Sequence, residues 1–253
     1  MIKEQRQQQI IQLLEENDVM MNSALAEYFG TSLMTIRRDI DELAEDEIVI
    51  KLHGGVALKK TQSLHIGHVT RVNENTDLKK RIGAEAAKLI QEGMSVFFDA
   101  GSTPLFIARN VPPQLHFTAI TNSLVTATEL CKKVNTNVIM IGGELYKPTF
   151  ATRHNSAVDS AAHFRSDISF ISTKTISPPK GLYEMDLSMI EVKLAMAERA
   201  ENVIVVADHT KFNISGTYLS IPMSDIDLVI TDTELDQKYV DLLKKGGTPV
   251  TLT

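Results

Sequence analysis

Tryptophan is missing from this sequence, and cysteine occurs once, at Cys131. A single thiol excludes a disulfide framework within the chain and fits a reducing compartment. Cys131 lies in TELCKKV, where a packed helix residue is expected rather than a nucleophile. No apolar run approaches the roughly 20 residues of a membrane helix, and MIKEQRQQQI lacks the apolar core of a signal peptide. A cytoplasmic soluble protein without membrane contact is expected. Basic excess is lacking too: 26 Lys and Arg stand against 32 Asp and Glu, for a net charge of −6. Residues 1–60 hold seven bases and eleven acids, a net of −4. The basic footprint of many nucleic-acid-binding domains is therefore absent, and such a function has to rest on where individual residues are placed.

What is present divides the chain in two. EQRQQQIIQLLEE (4–16) puts Ile10, Ile11, Leu13 and Leu14 on one helical stripe. SALAEYFG reads as a short helix capped by Ser23 and ended by Gly30, and a third helix follows with Ser32 as its cap. IVIKLHGGVAL alternates apolar residues on both sides of HGG, as a hairpin does. Three short helices and a hairpin over residues 1–58 make a winged helix-turn-helix. Residues 59–76 are polar and aperiodic, a linker. From 77 to 253, short apolar runs alternate with helical ones: MSVFFDAG, HFTAITN, NVIMIGG, DISFIST, NVIVVAD and DLVITD. Such runs indicate strands buried on both faces of a parallel sheet in an α/β domain, with ligands expected at their C-terminal ends.

The third helix decides whether the first domain touches an anion. At 100° per residue, Leu33, Ile36, Ile40 and Leu43 fall within about an 80° arc and form a buried stripe. Met34 and Arg38 lie nearly opposite it, with Thr35 and Arg37 on the flanks. Asp41 and Glu42 share the exposed face but trail toward the C-terminus. A recognition helix enters the major groove with its N-terminal residues leading, which places Thr35, Arg37 and Arg38 at base edges and phosphates. The dipole favours phosphate at Ser32. Pairing of the arginines with Asp41 and Glu42 at i,i+4 is the competing arrangement, and periodicity alone slightly favours it. Lys51 and His53 at the hairpin tip, and the pair Lys59-Lys60, shift the balance toward DNA.

SLMTIRRDIDELAEDEIVIKLHGGVAL resembles the DNA-binding signature of DeoR-family bacterial transcription regulators, which joins a T-[IV]-R-R-D-[IL] helix to a wing bearing H-G-G. The resemblance implies double-stranded operator DNA as partner, with Thr35, Arg37 and Arg38 as contacts and His53 and Gly54 in the wing turn. Glu47 stands where the family usually has a glycine.

In the second domain, FFDAGSTP (97–104) is a strand running into a helix. There Gly101 permits close backbone approach, Ser102 and Thr103 offer hydroxyls, and Asp99 precedes them. Helix capping alone explains one such end. Two more strand ends, with Thr121, Asn122 and Ser123 and with Gly142 and Gly143, repeat the arrangement and favour a phosphate-binding pocket. ADHTKF adds Asp208 and Lys211, and His209 as a loop residue. D-x-G-[ST]-T, T-N-S, G-G and A-D-x-[ST]-K-F resemble the sensor domain of the same family, in its order along the chain. That domain is related in fold to ribose-5-phosphate isomerase and glucosamine-6-phosphate deaminase. The resemblance implies a phosphorylated sugar as effector and adds Arg71 and Lys79. Two departures stand out: STKT (172–175), bringing Lys174, replaces G-A-D-G, and His154 replaces a glycine. PPKGLYEMD looks like the family's mobile loop, which implies that Glu184 or Asp186 would meet sugar hydroxyls.

The expected function is a repressor of a sugar uptake or catabolism operon. It needs no metal or other cofactor, and no catalytic residues are assigned to it. A homodimer or homotetramer is expected because such proteins read paired half-sites. A phosphosugar isomerase or deaminase with an appended domain is the alternative, with Asp99, Glu144 and Asp208 as carboxylates, though no spacing establishes an acid/base pair. A protein-binding module is the third.

Overall fold

The computed structural model describes residues 3–17, 19–46, 48–58, 71–212 and 216–253. Glu47, the pair Lys59-Lys60 and most of the expected linker lie outside them. The chain forms two compact units, Met1–Gly67 and His68–Thr253.

The first unit runs α1 (Lys3–Asn17), β1 (Val19–Met21), α2 (Asn22–Tyr28), α3 (Leu33–Glu45), β2 (Val49–Leu52) and β3 (Gly55–Leu58). Ile10 and Leu14 of α1 close over Leu25, Ile36, Ile40, Leu43, Val49 and Val56. The α2–α3 turn is closed by backbone chemistry. Gly30 takes φ +58°, its N–H donates to Glu27 and that of Thr31 to Ala26, so the last carbonyls of α2 are satisfied. Ser23 does not cap α2. The helix starts one residue earlier, and the Asn22 N–H donates to the Gly54 carbonyl in the wing turn. Strand β1, unforeseen in the sequence, pairs antiparallel with β3 and gives a three-stranded order β1-β3-β2.

The second unit runs α4 (Thr76–Ala87), β4 (Ser95–Phe98), α5 (Ser102–Asn110), β5 (Phe117–Thr121), α6 (Leu124–Leu130), β6 (Thr136–Met140), β7 (Glu144–Tyr146) and β8 (Ala151–Arg153). It continues with α7 (Asn155–Ala162), β9 (Ser166–Ile171), β10 (Thr175–Ser177), β11 (Gly181–Glu184), α8 (Leu187–Glu198) and β12 (Ala200–Val206). Strands β13 (Tyr218–Pro222) and β14 (Leu228–Thr231), helix α9 (Gln237–Lys245) and β15 (Val250–Leu252) complete it. Seven strands form one parallel sheet, β15-β14-β12-β9-β4-β5-β6. All six apolar runs read from sequence are in it; the short terminal β15 was not foreseen. Burial on both faces shows in β4, where Val96 and Phe98 pack with Ile82 and Ile107 while Phe97 packs with Ala157, Val192 and Met196.

Three local expectations are overturned. PPKGLYEMD is not simply a loop: it supplies β11, which pairs antiparallel with β10 and β13 in a small separate sheet. Cys131 is exposed at the end of α6, not packed. Leu33 is 39% exposed at the free start of α3, and the buried arc shifts toward Asp39 instead.

Candidate DNA interface and effector site

The first turn of α3 is organised by its polar residues. The Ser32 hydroxyl accepts the Thr35 N–H at 3.1 Å and shares a 2.8 Å hydrogen bond with the Thr35 hydroxyl, so the pair builds the cap and keeps one O–H to spare. Met34 is left 75% exposed. One turn on, Arg37 is exposed with no ion-pair partner among the described residues, and the Arg38 side chain is 84% exposed. The Arg38 guanidinium is 4.0 Å from Glu42, at the limit of an ion pair. Glu42 has better partners in α1, with Lys3 at 2.8 Å and Gln7 donating at 2.9 Å. Lys3 first, then Gln7, holds its carboxyl below the usual range. Asp41 is taken by Lys51 at 2.9 Å. The anticipated i,i+4 pairing is thus weak, because the acids are engaged elsewhere.

The same contact corrects the placement of Lys51. It lies within β2 opposite Val56, exposed to solvent, and not at the tip. His53 and Gly54 form the exposed two-residue turn. Beneath α3, Arg6 grips the buried Asp39 with two bonds, Nε to Oδ2 at 2.6 Å and Nη2 to Oδ1 at 3.1 Å.

In the sheet domain, the loops after β12, β9, β4, β5 and β6 lie side by side, because these strands are sheet neighbours and all parallel. Asp99, after β4, is buried. Its Oδ2 accepts from the Ser172 N–H at 3.0 Å and hydroxyl at 2.6 Å, and its Oδ1 accepts the Ala100 N–H. A Cβ on Gly101 would stand 2.2 Å from the Ser172 hydroxyl oxygen, so only glycine lets these two loops meet. Gly101 starts α5 without a side-chain cap, leaving the helix N-terminus at Ser102 and Thr103 for an acceptor. After β5, Thr121 donates to the Phe98 carbonyl, Ser123 caps α6, and the buried Asn122 Oδ1 has no partner among the described residues. Gly142 and Gly143 are exposed after β6.

Cations gather at the β9–β12 side. Burial first, and then the Arg71 and Lys211 charges, push Lys174 below the ordinary lysine value although its side chain keeps contact with solvent. Lys79 is pushed down the same way, by burial and then by Lys211 and Arg71 against the opposing pull of Asp208. Its ammonium donates to the Arg71 and Glu74 carbonyls and so pins Arg71 in place. Burial also lowers Arg71, opposed by Glu184 and Glu74. Lys174 and Lys211 have no ion-pair partner within 4.0 Å among the described residues. Asp208 caps the turn His209–Lys211 through Oδ1, and its buried Oδ2 has no hydrogen-bond partner among the described residues.

Lys193 was missed in the sequence. It is 4% exposed, donates to Glu184 and to the Ser172 carbonyl, and lies 3.6 Å from Asp99. Burial works against its charge, but Asp99 and Glu184 outweigh that and raise its pKa above the ordinary lysine value. EVKLAMAE carries no signal that one lysine points inward. Glu184 is engaged by this lysine, and Asp186 caps α8 at Ser188. His209 is held by the buried Asp232 at 2.8 Å. Glu144 pairs with Arg153 at 3.0 Å. Of the carboxylates raised for acid/base chemistry, Asp99 and Glu144 are therefore held by partners, while Asp208 caps its turn through Oδ1 alone.

Residues 6–62 match the DeoR-like helix-turn-helix domain, and residues 74–233 match the DeoR C-terminal sensor domain. The HTH-type transcriptional regulator GolR of Listeria innocua is 30% identical over 246 residues, 97% of each chain. The glycerol-3-phosphate regulon repressor of Escherichia coli is 31% identical over 228 residues, 90% of each chain. Among solved structures, ribose 5-phosphate isomerase A from Methanocaldococcus jannaschii aligns with a TM-score of 0.41 at 18% identity, over 55% of this chain and 56% of that one. That likeness is too slight to carry function.

Proposed function

This chain belongs to the DeoR family of transcriptional regulators, and from that premise we propose that it represses a sugar uptake or catabolism operon and is released from its operator by a phosphorylated sugar. Residues 1–58 bind the DNA and residues 77–253 sense the effector, with 59–76 as a linker whose end contributes Arg71 to the sensor. The observation that carries the effector class is that Lys79 and Lys174 each feel the charges of both Arg71 and Lys211, which Asp208, Glu74 and Glu184 offset in part. Cations held together against their own repulsion suit a dianion, and the uncapped start of α5 adds N–H donors. The unpartnered Asn122 Oδ1 and Asp208 Oδ2 suit sugar hydroxyls as donors. On the DNA side, Arg37 and Arg38 reach bases or phosphates, with Ser32, Thr35, His53 and Gly54 against the backbone. The acidic balance of the first domain limits phosphate contacts per subunit, so binding as a homodimer or homotetramer is part of the reading.

The test is binding to the DNA upstream of the protein's own gene. Wild type should bind with an affinity that falls linearly in log–log against salt. Arg38→Ala should lose roughly 1–3 kcal/mol of specific binding if a bidentate base contact goes, with unchanged unfolding. Arg37→Ala should weaken binding too. Wild-type affinity in both variants would return these arginines to ordinary surface charge.

A further inference from the structure

We propose that Met34 reads the 5-methyl group of a thymine in the operator, an assignment that rests on α3 being the recognition helix. The leading turn of that helix has an unusual division of labour. Its hydroxyls, on Ser32 and Thr35, hydrogen-bond each other and cap the Thr35 N–H, which fixes them in place and leaves one O–H of the pair to donate outward. The guanidinium groups come a turn later, at Arg37 and Arg38. What projects from the second position of α3 is the thioether of Met34, 75% exposed and opposite the side that carries Ile36, Asp39 and Ile40 into the core. Leu33 beside it is 39% exposed, so the tip of the helix is apolar.

A helix that enters the major groove brings its first turn against base edges. Those edges offer hydrogen-bond donors and acceptors at every pair, and a single apolar feature, the methyl of thymine. An exposed methionine has no hydrogen bond to give to guanine, adenine or cytosine, and facing them it would desolvate polar edges without return. Facing thymine it covers a methyl, and its unbranched side chain adjusts to the exact position. Sequence preference is then set by an apolar contact where the helix tip meets the bases, and by arginine one turn further along α3.

Thymine-to-uracil replacement tests this, because uracil keeps every hydrogen-bonding group and lacks only the methyl. Duplexes selected by the full-length protein from a random pool serve as probe, each thymine being replaced in turn. Wild type should lose about fourfold in affinity at one thymine per half-site, the worth of one buried methyl. Met34→Ala should bind the thymine duplex more weakly and be indifferent to that uracil. Met34→Leu, which keeps an apolar tip, should stay sensitive. Equal affinity of wild type for every uracil duplex overturns the assignment, as does an undiminished uracil effect in Met34→Ala. If no duplex is selected, or Arg38→Ala selects as wild type does, the recognition-helix reading itself fails.

Discussion

Arg6 and Asp39 lie 33 residues apart, and their paired hydrogen bonds tie α1 to the underside of α3. Asp39 is almost fully buried, so its charge depends on that guanidinium. Arg6→Ala should therefore destabilise the winged unit by about 3 kcal/mol, near the lower end for breaking a buried pair because Arg6 keeps some solvent contact. Denaturant unfolding of the full chain should show an earlier transition for this unit and an unmoved one for the sheet domain. Coincident wild-type curves would mean that Asp39 finds another partner. The sequence displayed the outward face of α3 well, because charge at helical spacing is visible. It hid Asp39, since a buried carboxylate reads like a surface one until its partner is known. His154 poses the opposite case: the sequence marked it as standing in place of a glycine, and the structure gives it φ +67° and ψ −178°. That region is nearly restricted to glycine and costs a side chain about 1–3 kcal/mol. His154→Gly should raise stability by about 1 kcal/mol net of the added unfolded-chain entropy, seen as a higher Tm. Its 3.6 Å contact with Glu144 is exposed and offsets little. An unchanged or lower Tm would show that the loop accommodates histidine without strain.

Among the elements, the parallel strands were legible because they are buried on both faces and read as continuous apolar runs. The antiparallel β10-β11-β13 sheet was not, being built from three- to five-residue strands broken by prolines and glycine. Its position matters, since β11 delivers Glu184 to Lys193 and to the Lys174 N–H at 3.4 Å. Lys174 lies between β9 and β10, and its pKa is held below 10.5 by burial and by neighbouring cations. In the free protein the unfolded chain then holds the proton more tightly than the folded one. Stability should therefore rise with pH between the lowered folded value and 10.5. A bound phosphate reverses the preference by favouring the ammonium. Effector affinity should accordingly fall as pH climbs through the folded pKa, and it should begin to fall before an ordinary lysine would titrate. Calorimetric titration of phosphosugars from neutral into alkaline pH checks this. Lys174→Met should bind more weakly at neutral pH and lose much of the alkaline decline. A decline identical in both proteins would assign the titration to another group, such as Lys79.

For the whole molecule, the proposed function requires an anion at the sheet edge to govern a helix in the other unit. An effector shifts the equilibrium between DNA-binding and released states only by its difference in affinity for the two. Removing effector affinity without touching α3 should therefore leave repression intact and abolish induction. Lys211 suits this purpose. It ends the 3-10 turn His209–Lys211 beyond β12, it has no ion-pair partner among the described residues, and neither the Arg6–Asp39 tie nor the core depends on it. Lys211→Ala should keep wild-type operator affinity. Loss of one charge-assisted contact to phosphate, worth roughly 1.5–3 kcal/mol, should raise the effector concentration needed for release about ten- to hundredfold. By linkage, operator DNA should weaken effector binding to the wild-type protein by the same factor by which effector weakens DNA binding. That reciprocity is checked by titrating phosphosugars against the free protein and against its operator complex, for both proteins. Release of the Lys211→Ala complex at the wild-type concentration would place the phosphate elsewhere on the sheet edge. Weakened DNA binding by the variant in the absence of effector would instead make Lys211 part of the link between sensor and helix.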